Sequence, residues 1–173
     1  EVIKEQILDK EREKPIISSF CPAVVRLIQV KYPSLVPNIL PMRTPLDLTS
    51  MYIRKRLVDQ GIPAEDIGIF YVTPCAAKIA AVKSPVGEEK MPVEGVINMN
   101  YLYNKVFRVI KEGVYKLRED EFDFHPISQN SLYFTLTGGE IKDMEVGRNL
   151  AIDEIHNVSE FLEKLEDEDI DNI

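Results

Sequence analysis

The sequence predicts an α/β fold with largely parallel sheet flanked by helices. Three observations predict it. Short apolar runs at 16–17, 66–72 and 93–98 alternate with segments whose apolar residues recur at helical spacing. Glycine and proline stand at the boundaries between them. Twice an apolar run ends in a cysteine and a helix-like segment follows at once: "IISSFCPAVVRLI" and "YVTPCAAKIAAVK".

Residues 1–13 read as a polar helix, the tail of an upstream element. Ile16 and Ile17 lead a short strand into Ser18-Ser19-Phe20-Cys21. Pro22 suits a first helical position, and Val24, Leu27 and Ile28 make an i, i+3, i+4 stripe. That helix ends near Tyr32-Pro33, because proline disfavours helix in the residue before it. Prolines 33, 37, 41 and 45 mark an irregular connector. The next helix has Thr44 as N-cap, Pro45 as first residue and Asp47 at its positive end. Met51, Ile53, Leu57 and Val58 are its apolar positions, and Gly61 its stop. "DIGIFYV" (66–72) predicts a buried strand, followed by a helix over 76–83. "KSPVGEEKMP" is a surface loop, and "VEGVIN" a further strand. Leu102, Val106, Val109 and Ile110 predict a helix closed by Gly113. Alternation of Leu132, Phe134 and Leu136 predicts a half-buried strand broken at Gly138-Gly139. "NVSEFLEKLE" predicts a helix with Asn157 as cap and Glu160 three residues on.

Composition narrows the function classes. The 173 residues suffice for one domain with a real core, or two small lobes. Hydrophobic residues are 45% and charged residues 29%, the balance of a soluble globular protein. A net charge of −8 argues against binding a phosphate backbone, which needs a basic face. No apolar run approaches the roughly 20 residues that span a bilayer, and no signal-peptide pattern opens the chain. Neither nucleic acid nor membrane is expected as a partner, and a cytoplasmic location is. Two cysteines are too few for a disulfide scaffold. The start at Glu1 and the end in "EKLEDEDIDNI" lead us to expect a piece of a longer protein.

The cysteine junctions carry the chemistry. Ligands of parallel sheets gather beyond the carboxyl ends of strands, where strand-to-helix turns sit. A helix N-terminus also favours a thiolate, the form that binds metal or attacks an electrophile. An isolated cysteine is more often a small buried hydrophobe. Two in matched junctions suggest thiols converging on one site. They do not complete a tetrahedral metal site, and His125 and His156 lie far from both in sequence. Lys78, one turn past Cys75, reads as a solvated helix residue when taken alone.

The motifs resemble the catalytic domain of the iron-only (FeFe) hydrogenases, the family formed by the C-terminal domain of their large subunit. "SSFCPAV" (18–24) is similar to the signature T-S-C-C-P-G-W at Ser19, Cys21 and Pro22. "TPCAAKIAA" (73–81) is similar to M-P-C-x-x-K-x-x-E at Pro74, Cys75 and Lys78. The proline-rich 31–48 segment, "VEGVINMNYLYNKV" and "TGGEIKDM" resemble further family segments. The likeness spans about 14–170, and is specific at the cysteines.

The resemblance implies a 4Fe-4S cluster held by four cysteines, one of which bridges to a di-iron subcluster. Cys21 and Cys75 fall on two of those ligands. Lys78 falls on the lysine that contacts a cyanide of the di-iron unit. Departures matter as much. Phe20 stands at the proton-relaying thiol, and a phenyl ring exchanges no proton. Thr73, Ala81, Ala23 and Val24 replace the methionine, acidic, glycine and tryptophan positions. The third signature, with the other two cysteine ligands, is missing. The implied organisation is 1–13 as the remnant of an upstream region and 14–173 as a partial hydrogenase-like domain.

The implied function is cluster-based redox or hydrogen sensing, or electron transfer, rather than fast hydrogen turnover. The implied partner is a ferredoxin-like electron-transfer domain or protein, with a signalling domain in the longer chain. The alternatives are a true hydrogenase with a rerouted proton path, and a metal-free interaction module. The fragment itself is expected to carry no cluster and to be inactive.

Overall fold

The computed structural model describes residues 2–9, 11, 14–85, 91–113, 126–133, 135–142 and 147–167. The described elements run α1 (Val2–Leu8), α2 (Pro22–Lys31), α3 (Pro45–Asp59), β1 (Phe70–Thr73), α4 (Ala76–Lys83), β2 (Gly95–Asn98), α5 (Met99–Lys111), α6 (Gln129–Tyr133) and α7 (Ile155–Glu166), with 3-10 turns at Pro33–Asn38 and Ala64–Asp66. The chain divides into two compact units.

Unit 1 comprises Glu1–Ser18, Val24–Leu40 and Asp120–Ile173. Its core is Ile28, Tyr32, Leu35, Leu162 and Leu165, backed by Ile17, Val24, Leu27, Val158 and Phe161. The predicted α2 stripe is thus the stripe that buries, and Ile28 is 0% exposed. Tyr32 reaches α7, its hydroxyl donating to Ser159 O at 3.0 Å. The strand predicted at Ile16–Ile17 is one parallel bridge, Ile17 to Ile39. Ile17 N–H donates to Asn38 O at 2.8 Å and Leu40 N–H to Ile17 O at 2.8 Å. The proline connector is accordingly ordered over 33–38 as a 3-10 helix.

Two further expectations are corrected here. The alternating 132–136 segment is not a strand: α6 occupies Gln129–Tyr133, started by Ser128 Oγ accepting Ser131 N–H at 3.2 Å. Phe134 itself lies outside the described residues. Turns follow through Lys142, and Gly139 is held so close to Tyr133 that a Cβ there would sit 1.5 Å from its carbonyl oxygen. Asn157 is not the α7 cap. The helix opens at Glu154, and Asn157 lies inside it, donating through Nδ2 to Asp153 O at 3.1 Å.

Unit 2 comprises Ser19–Ala23 and Pro41–Glu119. Its sheet is small and parallel, with Phe70 opposite Gly95 and Thr73 opposite Asn98. The predicted strand over 66–72 shortens to β1, because Ala64–Asp66 winds as a 3-10 turn. Helix α3 starts as predicted with a full capping box. Asp47 N–H donates to Thr44 Oγ1 at 3.3 Å, and Thr44 N–H to Asp47 Oδ2 at 3.2 Å. Gly61, at φ +90°, supplies the left-handed turn that ends this helix. The face it buries differs from the predicted one. Asp47 and Ser50 are covered, whereas Met51, Ile53 and Val58 are exposed. Arg54 ties α3 to the sheet, donating to Ile67 O at 3.1 Å and pairing with Glu94. Of the segment expected to be a surface loop, "KSPVGEEKMP", residues 86–90 lie outside the described residues.

Candidate functional site

Cys75 is placed by the end of β1. Thr73, 2% exposed, turns its hydroxyl toward the next residues, and Oγ1 accepts the Cys75 N–H at 3.2 Å. Pro74 offers no N–H, so the turn leaves the sheet without competing for a ladder bond. Cys75 is then the N-cap of α4, half-buried, and its carbonyl accepts Ile79 N–H at 3.1 Å. Lys78 is the third residue of that helix and half-buried, and no acidic residue shares its first turn. A cation there meets the positive end of the helix, which is locally unfavourable.

Cys21 stands immediately before α2, exposed, with Pro22 as first helical residue. The strand expected before it is the Ile17 bridge, so Cys21 follows a bent linker rather than a strand end. Ser19 Oγ donates to Met42 O at 3.2 Å, fixing this loop to the segment that enters α3. Phe20, between them, is half-buried.

The pentapeptide Ser19–Ala23 therefore belongs to the same compact unit as the Cys75 turn and Lys78. The parallel register also brings Asn98, and with it the start of α5, to the sheet end from which the Cys75 turn departs. Asn98 Oδ1 caps α5 by accepting Asn100 N–H at 2.9 Å. His156 belongs to unit 1 and is exposed on α7, and His125 lies outside the described residues.

The burial of Asp47 and the whole of Glu140 went unread in the sequence. Asp47 is buried, and its Oδ1 takes no hydrogen bond among the described residues, while Oδ2 serves the capping box. Glu140, directly after the paired glycines, receives the Ser18 hydroxyl, with both carboxylate oxygens at 2.9 Å. Burial pushes the Glu140 carboxyl up, against the pull of that hydroxyl. The signal for Asp47 was present in Thr-Pro-x-Asp; nothing local announced Glu140.

The donor set can be tested against the implied cofactor. A cubane cluster takes four thiolates, and this chain has two cysteines. Among the described residues no group of three or more His, Cys, Asp or Glu side chains comes together as metal ligands would. These residues supply half of a ligand set and do not close a site by themselves.

The profile of the family described as "Iron only hydrogenase large subunit, C-terminal domain" matches residues 2–172. No curated protein matches the chain. Among solved structures, one from work on oxygen inactivation of FeFe hydrogenase through modification and degradation of the 2Fe subcluster of its H cluster has a TM-score of 0.51 at 17% identity, covering 94% of this chain and 36% of that one. Another, from work on stepwise assembly of the FeFe hydrogenase H-cluster, has a TM-score of 0.49 at 22% identity, covering 64% of this chain and 28% of that one. The chain thus spans about a third of the length of these structures. With the small parallel sheet and flanking helices already described, the match over 2–172 shows that the chain belongs to the family formed by the C-terminal domain of the iron-only hydrogenase large subunit.

Proposed function

We propose that this chain is part of an iron–sulfur protein in which Cys21 and Cys75 are two of the four thiolate ligands of a 4Fe-4S cluster, serving redox sensing or electron transfer rather than fast hydrogen turnover. One observation carries the reading: the two motif cysteines and Lys78 fall within a single compact unit, each cysteine at the entrance of a helix. The positive helix ends favour thiolates there. Lys78 fits as a charge set aside for an anionic partner, because its own helix gains nothing from it. A bound cluster would supply reversible one-electron storage; the chain's part is to hold two corners of it. Phe20, in place of the relay thiol, argues against rapid proton delivery. The missing thiolates then come from outside these 173 residues, with an electron-transfer or signalling domain as partner.

The test is anaerobic iron and acid-labile sulfide analysis, with an absorbance spectrum, on the protein as it occurs in the cell. About four irons per chain are expected. Changing either cysteine to serine is expected to lower both iron and the visible absorbance. A folded protein without iron would replace this reading with that of a metal-free interaction module.

A further inference from the structure

We propose that Glu140 and Ser18 form a proton-operated latch on the segment that leads to Cys21, closed while the Glu140 carboxyl is protonated and released when it ionises. The pair joins two stretches that lie 122 positions apart in sequence, "TGGE" (137–140) and the residues in front of Cys21. Ser18 and Glu140 both belong to unit 1, and Ser18 is the last residue there before the chain passes into Ser19–Ala23.

One hydroxyl faces both carboxyl oxygens. Ser18 Oγ lies 2.9 Å from Glu140 Oε1 and 2.9 Å from Oε2. A hydroxyl has a single proton to donate, so an ionised carboxylate must share it between two oxygens. A protonated carboxyl accepts that proton at one oxygen and donates its own back to Oγ from the other, making two hydrogen bonds in place of one shared bond. The backbone fixes both ends. Glu140 sits in a tight turn, with Gly139 N–H donating to Leu136 O at 2.9 Å and Ile141 N–H to Gly138 O at 3.2 Å. Ser18 lies between Ile17, bridged to Ile39, and Ser19, whose hydroxyl donates to Met42 O at 3.2 Å.

An ionised carboxyl finds little compensation in this place. Glu140 is half-buried, and a buried charge without a cation is costly. The charged and titratable groups on the neighbouring segments are Lys142 on its own turn, Tyr133 on α6, Arg148 and Asp153 further on, and Lys14 and Cys21 on either side of Ser18. Lys142 lies over the Tyr133 ring, 3.3 Å from its centroid, Asp153 meets the Thr137 hydroxyl at 3.5 Å, and Lys14 donates to Ile7 O. Among the described residues none of these charges shifts the Glu140 carboxyl: burial raises it, and the Ser18 hydroxyl opposes the rise. The latch is therefore closed in acid and opens as pH rises through the Glu140 titration. Opening unties the turn at 138–141 from the stretch in front of Cys21, so the surroundings of that thiol respond to protons whether or not it binds metal.

The experiment is amide exchange of the whole protein, followed peptide by peptide from acidic to neutral pH and corrected for the intrinsic pH dependence of exchange, with the Glu140 carboxyl titrated by carbon NMR. Protection at 17–21 and at 138–141 is expected to fall together as Glu140 ionises, by about fivefold to tenfold. Alkylation of Cys21, read on its own peptide and corrected for thiolate fraction, is expected to quicken over the same interval. Glu140→Gln, whose amide both donates and accepts, is expected to keep the protection at neutral pH. Ser18→Ala is expected to show the released level at every pH, and if it does not fold, the glutamine variant still decides. Protection or alkylation that ignores the Glu140 titration would overturn the proposal. So would a loss of protection spread along the whole chain, or a glutamine variant that exchanges like Ser18→Ala. The measurement needs no iron in the protein, so failure of the latch and failure of the cluster reading show in separate assays.

Discussion

Two glutamates carry opposite electrostatic environments, and each gives stability its own dependence on pH. Glu140 has its carboxyl raised by burial, so the folded state binds its proton more readily than the unfolded chain does. Stability from this residue is present below the ordinary value of 4.5 and is lost as pH rises through the raised value. Glu94 runs the other way. The Ile69 N–H, at 2.5 Å, and then Arg54 hold its carboxyl down. Its contribution is present above 4.5 and fades as pH falls through the lowered value. In urea titrations across this range, Glu140→Gln is expected to remove the loss on the alkaline side, and Glu94→Gln the loss on the acid side. Slopes identical to those of the unsubstituted protein would refute both assignments. Lys78 makes a different case. Its cation faces the positive end of α4, so Lys78→Ala is expected to raise metal-free stability by about 0.3–1 kcal/mol. A destabilised variant in the same urea assay would show that the lysine has a structural partner instead.

At the scale of elements, chemistry that acts within one turn was legible, and burial was not. Thr44, Pro45 and Asp47 specify the start of α3 by bonds three residues apart, and the sequence reads them correctly. Thr44→Ala is expected to cost about 1 kcal/mol in denaturant unfolding. The same helix was misread on its faces. Periodicity locates apolar residues, but which side is covered depends on distant chain, and here Ser50 is buried while Ile53 is not. Alternation over 132–136 misled for a related reason. A strand needs a partner to hydrogen-bond, and the short α6 satisfies its backbone locally instead. The Gly138-Gly139 break was legible, and the structure gives it a cause. A side chain at 139 would collide with the Tyr133 carbonyl. Gly139→Ala is expected to cost at least the upper end of the about 1–3 kcal/mol typical of overpacking, whereas Gly61→Ala meets open space and strains only the backbone. The cysteine junctions were legible as helix entrances, since α2 starts directly after Cys21 and α4 directly after Cys75. The Ser19–Ala23 placement in unit 2 was not, since no local pattern encodes which unit a loop joins.

For the whole molecule, the division into two units has a thermodynamic consequence, because the two bury apolar surface unequally. Unit 1 encloses Ile28, Tyr32, Leu35, Leu162 and Leu165 in one cluster. In unit 2 the buried apolar residues among those described are Ile67 and Val93, and Asp47, Ser50 and Thr73 are buried polar ones. At about 25 cal/mol per Å² of apolar area, several fewer enclosed side chains make unit 2 the weaker part. Unfolding is therefore expected to be non-coincident, with β1, β2 and α4 losing amide protection at lower urea than α2 and α7. Ile28→Ala sharpens the test, since it removes a fully enclosed side chain of the unit 1 core. It is expected to lower the later transition by about 2–5 kcal/mol and to leave the earlier one in place. If both transitions shift together, the units unfold as one. If they do not, the unit holding Cys21, Cys75 and Lys78 is the one that opens first, and whatever its two thiols bind stabilises it by mass action. If the proposed cluster forms, in a protein that supplies its two further thiolates, loading with iron and sulfide is expected to raise the first transition toward the second, a shift that Cys75→Ser would abolish.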